Sequence, residues 1–113
     1  MKIGYARVST DAQETHLQLD ALQRAKCRRI YQEKASGATA DRPELMRLLE
    51  HARQGDVVMV WKLDRLARSL RQLIDTMALF HERGVALHSL TEHINTTTPS
   101  GKLTFHLFAV VSL

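Results

Sequence analysis

Gly4-Tyr5-Ala6-Arg7-Val8-Ser9-Thr10-Asp11 is the stretch that decides how this chain folds. Lys2 to Val8 reads as a short apolar strand, and residues two apart on a strand share a face. The Arg7 guanidinium and the Ser9 hydroxyl are therefore expected on one side. Thr10 and Asp11 are both N-cap types, with Gln13 and Glu14 three positions on in capping-box register. That places Ser9 at a strand-to-helix junction. In sheets covered by helices, ligands bind beyond the carboxyl ends of the strands, and the first turn of a helix offers unpaired N–H groups to an anion. The plainer alternative is an ordinary βα turn in which Ser9 only caps the helix.

Downstream the chain alternates helix and strand. Ala12 to about Ala25 carries Leu19, Leu22 and Ala25 at spacings of three, the mark of an amphipathic helix. Arg28–Glu33 reads as a short strand near a sheet edge, and Ala35-Ser36-Gly37-Ala38-Thr39-Ala40 as a mobile surface loop. Asp41-Arg42-Pro43-Glu44 announces a helix, with Asp41 able to cap it, Glu44 to reach back and Pro43 suited to its first turn. Leu45, Leu48, Leu49 and Ala52 supply its stripe. Val57-Val58-Met59-Val60-Trp61 is a continuous rather than alternating apolar run, as in a parallel strand buried on both faces. A second stripe runs from Leu66 through Leu70, Leu73, Ile74, Met77 and Phe80 to a stop at Gly84. Val85–Leu90 predicts a fourth strand, and Thr91–Ser100 a polar loop holding a cap-plus-first-turn pair, Thr98-Pro99. Lys102–Leu113 predicts a helix apolar on nearly every side, either a core helix or the start of a longer one that packs on another subunit. The expected fold is α/β, with a central, mostly parallel sheet of four to five strands, helices on both faces, and the start of a long apolar helix at the end.

At 113 residues the chain suits one domain with one core. No window offers the roughly 18 uninterrupted apolar residues of a membrane span, and the N-terminus reads as strand rather than signal peptide. Cys27 stands alone, which excludes an internal disulfide and fits a reducing, cytoplasmic setting. Its neighbours Lys26 and Arg28 come without a nearby turn or His partner, so Cys27 is read as structural. A net charge of +4 and a pI near 9.6 favour a polyanionic partner. Aromatics at 5% are too sparse for the stacking platforms of single-strand binders, so duplex is the better match among nucleic acids.

Chemistry-bearing residues form two clusters, the first being Arg7 and Ser9. The second is Lys62-Leu63-Asp64-Arg65-Leu66-Ala67-Arg68-Ser69-Leu70-Arg71, in which Arg65, Arg68 and Arg71 fall at helical spacing and Asp64 precedes Arg68 by four. By itself this is an ion-paired helix start. If the strands ending near Ser9 and Trp61 lie in one parallel sheet, however, both clusters emerge at the same carboxyl edge. Guanidiniums bind phosphate oxygens in bidentate fashion and stay charged, so such a set would stabilise charge on a pentacoordinate phosphorus as a metal does elsewhere. Competing motifs are weak. There is no Walker A or G-x-G-x-x-G loop, and the six histidines contain no H-x-x-x-H pair. Asp11, Asp64 and Glu92 are possible metal ligands, but Asp64 stands among arginines that would repel a cation. No G-x-S-x-G elbow surrounds Ser9.

Tyr5-Ala6-Arg7-Val8-Ser9-Thr10, Ala35-Ser36-Gly37 with Asp41-Arg42-Pro43, Gly55-Asp56-Val57, and Trp61-Lys62-Leu63-Asp64-Arg65-Leu66-Ala67-Arg68-Ser69 together resemble the catalytic domain of serine recombinases, the resolvase/invertase family. Val60-Trp61-Lys62-Leu63-Asp64-Arg65 and Thr98-Pro99-Ser100-Gly101 look closer to DNA invertases. The resemblance implies that Ser9 is the nucleophile that becomes joined to a DNA 5′-phosphate and releases a 3′-hydroxyl. It implies that Arg7, Arg65 and Arg68, with Asp64 among them, surround the scissile phosphate, that Arg42 is a further active-site arginine and that Gln13 and Gln18 line the site. Arg42, Gln13, Gln18 and, from its place in the basic cluster, Arg71 are expected to bind DNA phosphate. A phosphoserine diester retains the broken bond's free energy for rejoining, so no cofactor or metal is implied. The implied partners are a double-stranded DNA recombination site, a second copy in a homodimer, a tetramer in synapsis and an accessory DNA-bending protein, with no membrane.

Against the family pattern, His51 stands where relatives often carry a permanently charged residue. Residues 1–113 are expected to be a catalytic domain cut short, without the family's acidic-arginine pair on the long helix and without its helix-turn-helix domain. Proton removal from Ser9 is open, because Asp64 paired with arginines would be a poor base. A different class of reading is a non-catalytic α/β module that holds phosphate or nucleic acid on the same basic edge.

Overall fold

The computed structural model describes residues 1–34 and 42–111. The expected loop over 35–40 and the cap expected of Asp41 lie outside them. In chain order the elements are β1 (Lys2–Val8), α1 (Ala12–Arg24), β2 (Arg29–Lys34), α2 (Pro43–His51), β3 (Val57–Val60), a 3₁₀ turn (Leu63–Arg65), α3 (Leu70–Arg83), β4 (Ala86–Ser89), β5 (Ile94–Asn95) and α4 (Pro99–Val111). The strands form one sheet in the order β2-β1-β3-β4-β5. β1 runs parallel to β2 and to β3, and β3 parallel to β4. Among the described strands β5 alone is antiparallel, opposite His88 and Ser89. This is the mostly parallel α/β sheet that the strand patterns predict.

Strand alternation sorts the side chains into two cores. Ile3, Tyr5, Tyr31, Val58, Val60 and Leu87 pack with Leu45, Leu48 and Leu49 of α2, Leu73 and Phe80 of α3, and Phe105 of α4. On the opposite face Ala6 and Met59 meet Leu22 of α1. Helices therefore cover both faces, which is why Val57–Val60 is apolar throughout. Each fully buried Leu or Phe in these layers contributes about 1.5–3 kcal/mol from area removed from water.

Helix ends follow the expected chemistry in part. Asp11 caps α1, its carboxylate accepting from the Gln13 and Glu14 N–H groups. Gly84 ends α3 at φ 70°, and Val85 N–H closes back on Phe80 O at 3.0 Å, the left-handed stop that glycine adopts without a Cβ penalty. Thr98 Oγ1 accepts from Gly101 N–H at 3.0 Å at the head of α4.

Three expectations change. The helix expected from Leu66 begins only at Leu70, because Ser69 is extended and caps it through the Gln72 N–H. The polar loop 91–100 contains the two-residue β5, too short for a periodic signal. In α4, which begins at Pro99 rather than Lys102, Phe105 is buried but Leu103 and Leu107 face outward. The helix is therefore not covered on every side. Among the described residues no helix is long and apolar enough to cross a membrane.

Candidate active site

β1 and β3 are adjacent parallel strands, so the segments that leave their carboxyl ends emerge at one edge of the sheet. The register explains the local structure at Arg7. β3 pairs with β1 only from Lys2 to Gly4, and beyond that point the flank of β1 lacks a strand. Gln18 of α1 takes its place: its carboxamide oxygen accepts from Arg7 N–H, and its nitrogen donates to Arg7 C=O, both at 2.9 Å. Gln18 is completely buried. The phosphate contact expected of Gln18 is corrected here, because both ends of the amide are committed to the Arg7 backbone. Gln18 acts instead by fixing Arg7.

Four arginines share this edge. The Arg7 guanidinium is held below its ordinary range, first by burial and then by the positive charge of Arg68, with Arg65 and Arg42 adding to it and Tyr5 opposing. Arg7 Nη1 also donates to the Asp64 carbonyl at 3.5 Å. Arg65 is ion-paired with Glu14 in the first turn of α1, which ties the turn after β3 to the helix beyond Ser9. Since Asp11 serves both N–H groups of that first turn by itself, Glu14 is not needed as a cap and reaches Arg65 instead. Mutual repulsion among guanidiniums raises the free energy of the empty site. An anion with several oxygens relieves it.

Ser9 is exposed two residues before the α1 cap, and its Oγ accepts from Asp11 N–H at 3.2 Å. A donor aimed at a hydroxyl oxygen favours the deprotonated form of that oxygen. The same bond belongs to the simple turn reading as well, so the chemistry depends on the cations nearby.

The single arginine-bearing helix face expected over Arg65, Arg68 and Arg71 does not form. Arg65 lies in the 3₁₀ turn, closed by Arg65 N–H to Lys62 O at 3.0 Å and Leu66 N–H to Leu63 O at 2.9 Å. Buried Leu63, Leu66 and Ala67 anchor this segment. Arg68 sits in the connection, its N–H donating to Gln72 Oε1 at 2.6 Å. Arg71 alone is on α3, with its side chain 87% exposed and paired to Asp75 at 3.5 Å. Asp64 is exposed, with Arg65 Nη1 at 3.8 Å. Gln13 is exposed on the first turn of α1. Arg42 reaches across from α2 to the Leu66 carbonyl and, at 2.6 Å, to Thr76 Oγ1, which pins the second cluster from below.

Other residues support the site from around it, and Glu33 among them had no sequence signal. Glu33, buried on β2, accepts from Tyr5 OH at 3.3 Å and from Leu45 N–H at 3.0 Å, and so caps α2. Burial, the Glu33 charge and this bond raise the Tyr5 phenol far above its ordinary value, against the lowering charges of Arg42 and Arg7. Glu92 accepts from Leu63 N–H and from Ser89 Oγ. His51 meets Tyr31 OH through Nδ1 at 3.2 Å. Burial pushes the Cys27 thiol up to about 11, as suits a structural cysteine.

The family model described as resolvase, N-terminal domain, matches residues 2–112. A DNA-invertase of Escherichia phage P1 is 46% identical over 112 residues, covering 99% of this chain and 60% of the relative. A serine recombinase of Escherichia phage Mu, Gin, is likewise 46% identical over 112 residues, covering 99% of this chain and 58% of the relative. Among solved structures, the N-terminal catalytic domain of TP901-1 integrase superposes with a TM-score of 0.77 at 29% identity, covering 98% of this chain and 93% of that one. The chain thus spans about 60% of the length of the curated relatives it matches.

Proposed function

This chain belongs to the resolvase N-terminal domain family, and from that premise we propose that it is the catalytic domain of a site-specific DNA recombinase of the invertase type. Ser9 Oγ attacks a DNA phosphodiester. The new O–P bond joins Ser9 to the 5′-phosphate, the bond to the 3′-oxygen breaks, and that oxygen leaves as a 3′-hydroxyl with a proton. Rejoining is the same exchange run in reverse with a new 3′-hydroxyl, so the energy of the broken linkage is kept in the phosphoserine diester.

The observation that carries this reading is that Arg7 Nη1 donates to the Asp64 carbonyl at 3.5 Å while Arg65 pairs with Glu14 in the first turn of α1, which joins the arginine-bearing turn after β3 to the strand end that presents Ser9. In this reading Arg7, Arg65 and Arg68 stabilise charge on the pentacoordinate phosphorus, and Asp64 orients Arg65. Arg42, Gln13 and Arg71 meet flanking phosphates. The partner is duplex DNA in the cytoplasm. Cleavage of both strands needs two copies, a dimer to which the outward-facing Leu103 and Leu107 contribute apolar surface, and exchange needs a tetramer with an accessory DNA-bending protein.

The test is a chimera in which this chain is continued by the portion of the phage Mu recombinase beyond its matched region. With that protein's DNA site, the chimera is expected to give an SDS-resistant protein–DNA adduct. Ser9→Ala should abolish the adduct and leave DNA affinity within about twofold, since the side chain makes no contribution to the core. An adduct that persists in Ser9→Ala removes Ser9 as the nucleophile.

A further inference from the structure

The turn that carries Asp64 and Arg65 has no cap of its own: Lys62 makes no side-chain bond to the N–H groups that open the 3₁₀ turn. A neighbouring turn supplies it. Between β4 and β5, three successive residues hold the segment that leaves β3. Leu90 N–H donates to Val60 O at 3.0 Å, Thr91 N–H to Trp61 O at 3.0 Å and Thr91 Oγ1 to the same carbonyl at 2.6 Å. Glu92 then receives Leu63 N–H on both carboxylate oxygens, each at 3.3 Å. The carboxylate is fixed in turn by Ser89 Oγ, which donates to Oε1 from a fully buried position at the end of β4.

From this arrangement we infer that Glu92 is a positioning residue for strand cleavage, setting the backbone of Leu63–Arg65 and through it the placement of Arg65 and Arg7. The inference rests on the active-site reading above. Its physical basis is that both arginines are referenced to this turn: Arg65 is part of it, and Arg7 Nη1 binds the Asp64 carbonyl. Loss of the Leu63 anchor lets the turn rotate and shifts both cations together. A displacement of about 1 Å in such a clamp costs on the order of a hundredfold in rate. The requirement is for an acceptor at that reach. Gln keeps one oxygen for Leu63 N–H and turns its NH₂ toward Ser89 Oγ, whereas Asp is one methylene too short.

The experiment compares Glu92→Gln, Glu92→Asp and Glu92→Ala in two settings. In the chimera with saturating DNA, single-turnover adduct formation should slow at least about tenfold for Ala and Asp, with DNA affinity within about twofold, and stay within about threefold of the parent for Gln. In this chain alone, amide hydrogen exchange at Leu63 should accelerate about tenfold or more in Ala and Asp and remain near the parent in Gln. The Asp variant preserves charge and surface character and carries the test if the Ala variant does not fold. Unchanged exchange at Leu63 overturns the positioning role. Adduct rates equal to the parent in Ala and Asp, or a Gln variant as slow as Ala, overturn its link to cleavage. A parent chimera that forms no adduct defeats the active-site reading and the catalytic half of this inference with it, while the exchange result still judges the contact.

Discussion

Gln18 stands in for a missing strand beside Arg7. Its carboxamide gives and receives one hydrogen bond with the Arg7 backbone, each 2.9 Å long, along the stretch of β1 that β3 has already left. A polar side chain buried in this way is stable only because all its demands are met. The consequence is that the Arg7 backbone is hydrogen-bonded on the flank that β3 has left, while its other flank stays paired with β2.

Gln18→Leu fills about the same space and leaves the Arg7 N–H and C=O without partners. Each group left unsatisfied costs about 1–3 kcal/mol, so urea unfolding should show a loss of at least about 2 kcal/mol in total. A Leu variant within about 0.5 kcal/mol of the parent, the range of an ordinary surface change, would show that the clamp is dispensable.

Gly101 in the first turn of α4 lies so close to β5 that a Cβ there would overlap the Asn95 carbonyl. Helix propensity by itself predicts that Gly101→Ala stabilises by about 1 kcal/mol. Packing predicts the reverse, a destabilisation of about 1–3 kcal/mol or more from a clash with backbone that has no rotamer to escape into. Thermal unfolding of Gly101→Ala beside Lys102→Ala, an exposed control, decides the sign. A more stable Gly101→Ala would defeat the packing account.

His88 on β4 is held below its ordinary value of 6.5, first by burial and then by the charges of Lys2 and His93. The unfolded chain therefore binds this proton at a higher pH than the folded one, and stability is lost as pH falls from about 6.5 toward the folded value. The drop in urea midpoint between about pH 7.5 and about pH 5.5 should be smaller in His88→Gln than in the parent. Equal drops in the two proteins would remove His88 as a contributor.

Much of the fold was readable because it rests on local regularities. The continuous run Val57–Val60 announces a strand covered on both faces, Asp11 and Gly84 announce helix ends, and the Leu45, Leu48, Leu49 stripe announces α2. Each depends on residues a few positions apart. The site was readable to the extent that it inherits this order: Arg7 and Ser9 at the end of one strand, and Asp64, Arg65 and Arg68 after another. Regular spacing misled over Arg65, Arg68 and Arg71, since three residues per step suits an α-helix and equally a 3₁₀ turn followed by a break at Ser69. Buried anchors at Leu63, Leu66 and Ala67 chose the second. Glu14 read as a cap partner, but Asp11 alone satisfied the N–H groups and left it for Arg65.

What the order of residues determined by itself was the set of elements, their caps, and which chemical groups end each strand, because periodicity and capping are properties of neighbours in the chain. Tertiary structure alone decided that Gln18 serves Arg7, that Arg42 crosses to Leu66 and Thr76, and that Glu92 holds Leu63. These bonds join residues 11 to 34 positions apart. Which of many donors and acceptors meet over such separations is settled only when the strands are in register and the buried polar groups must all find partners.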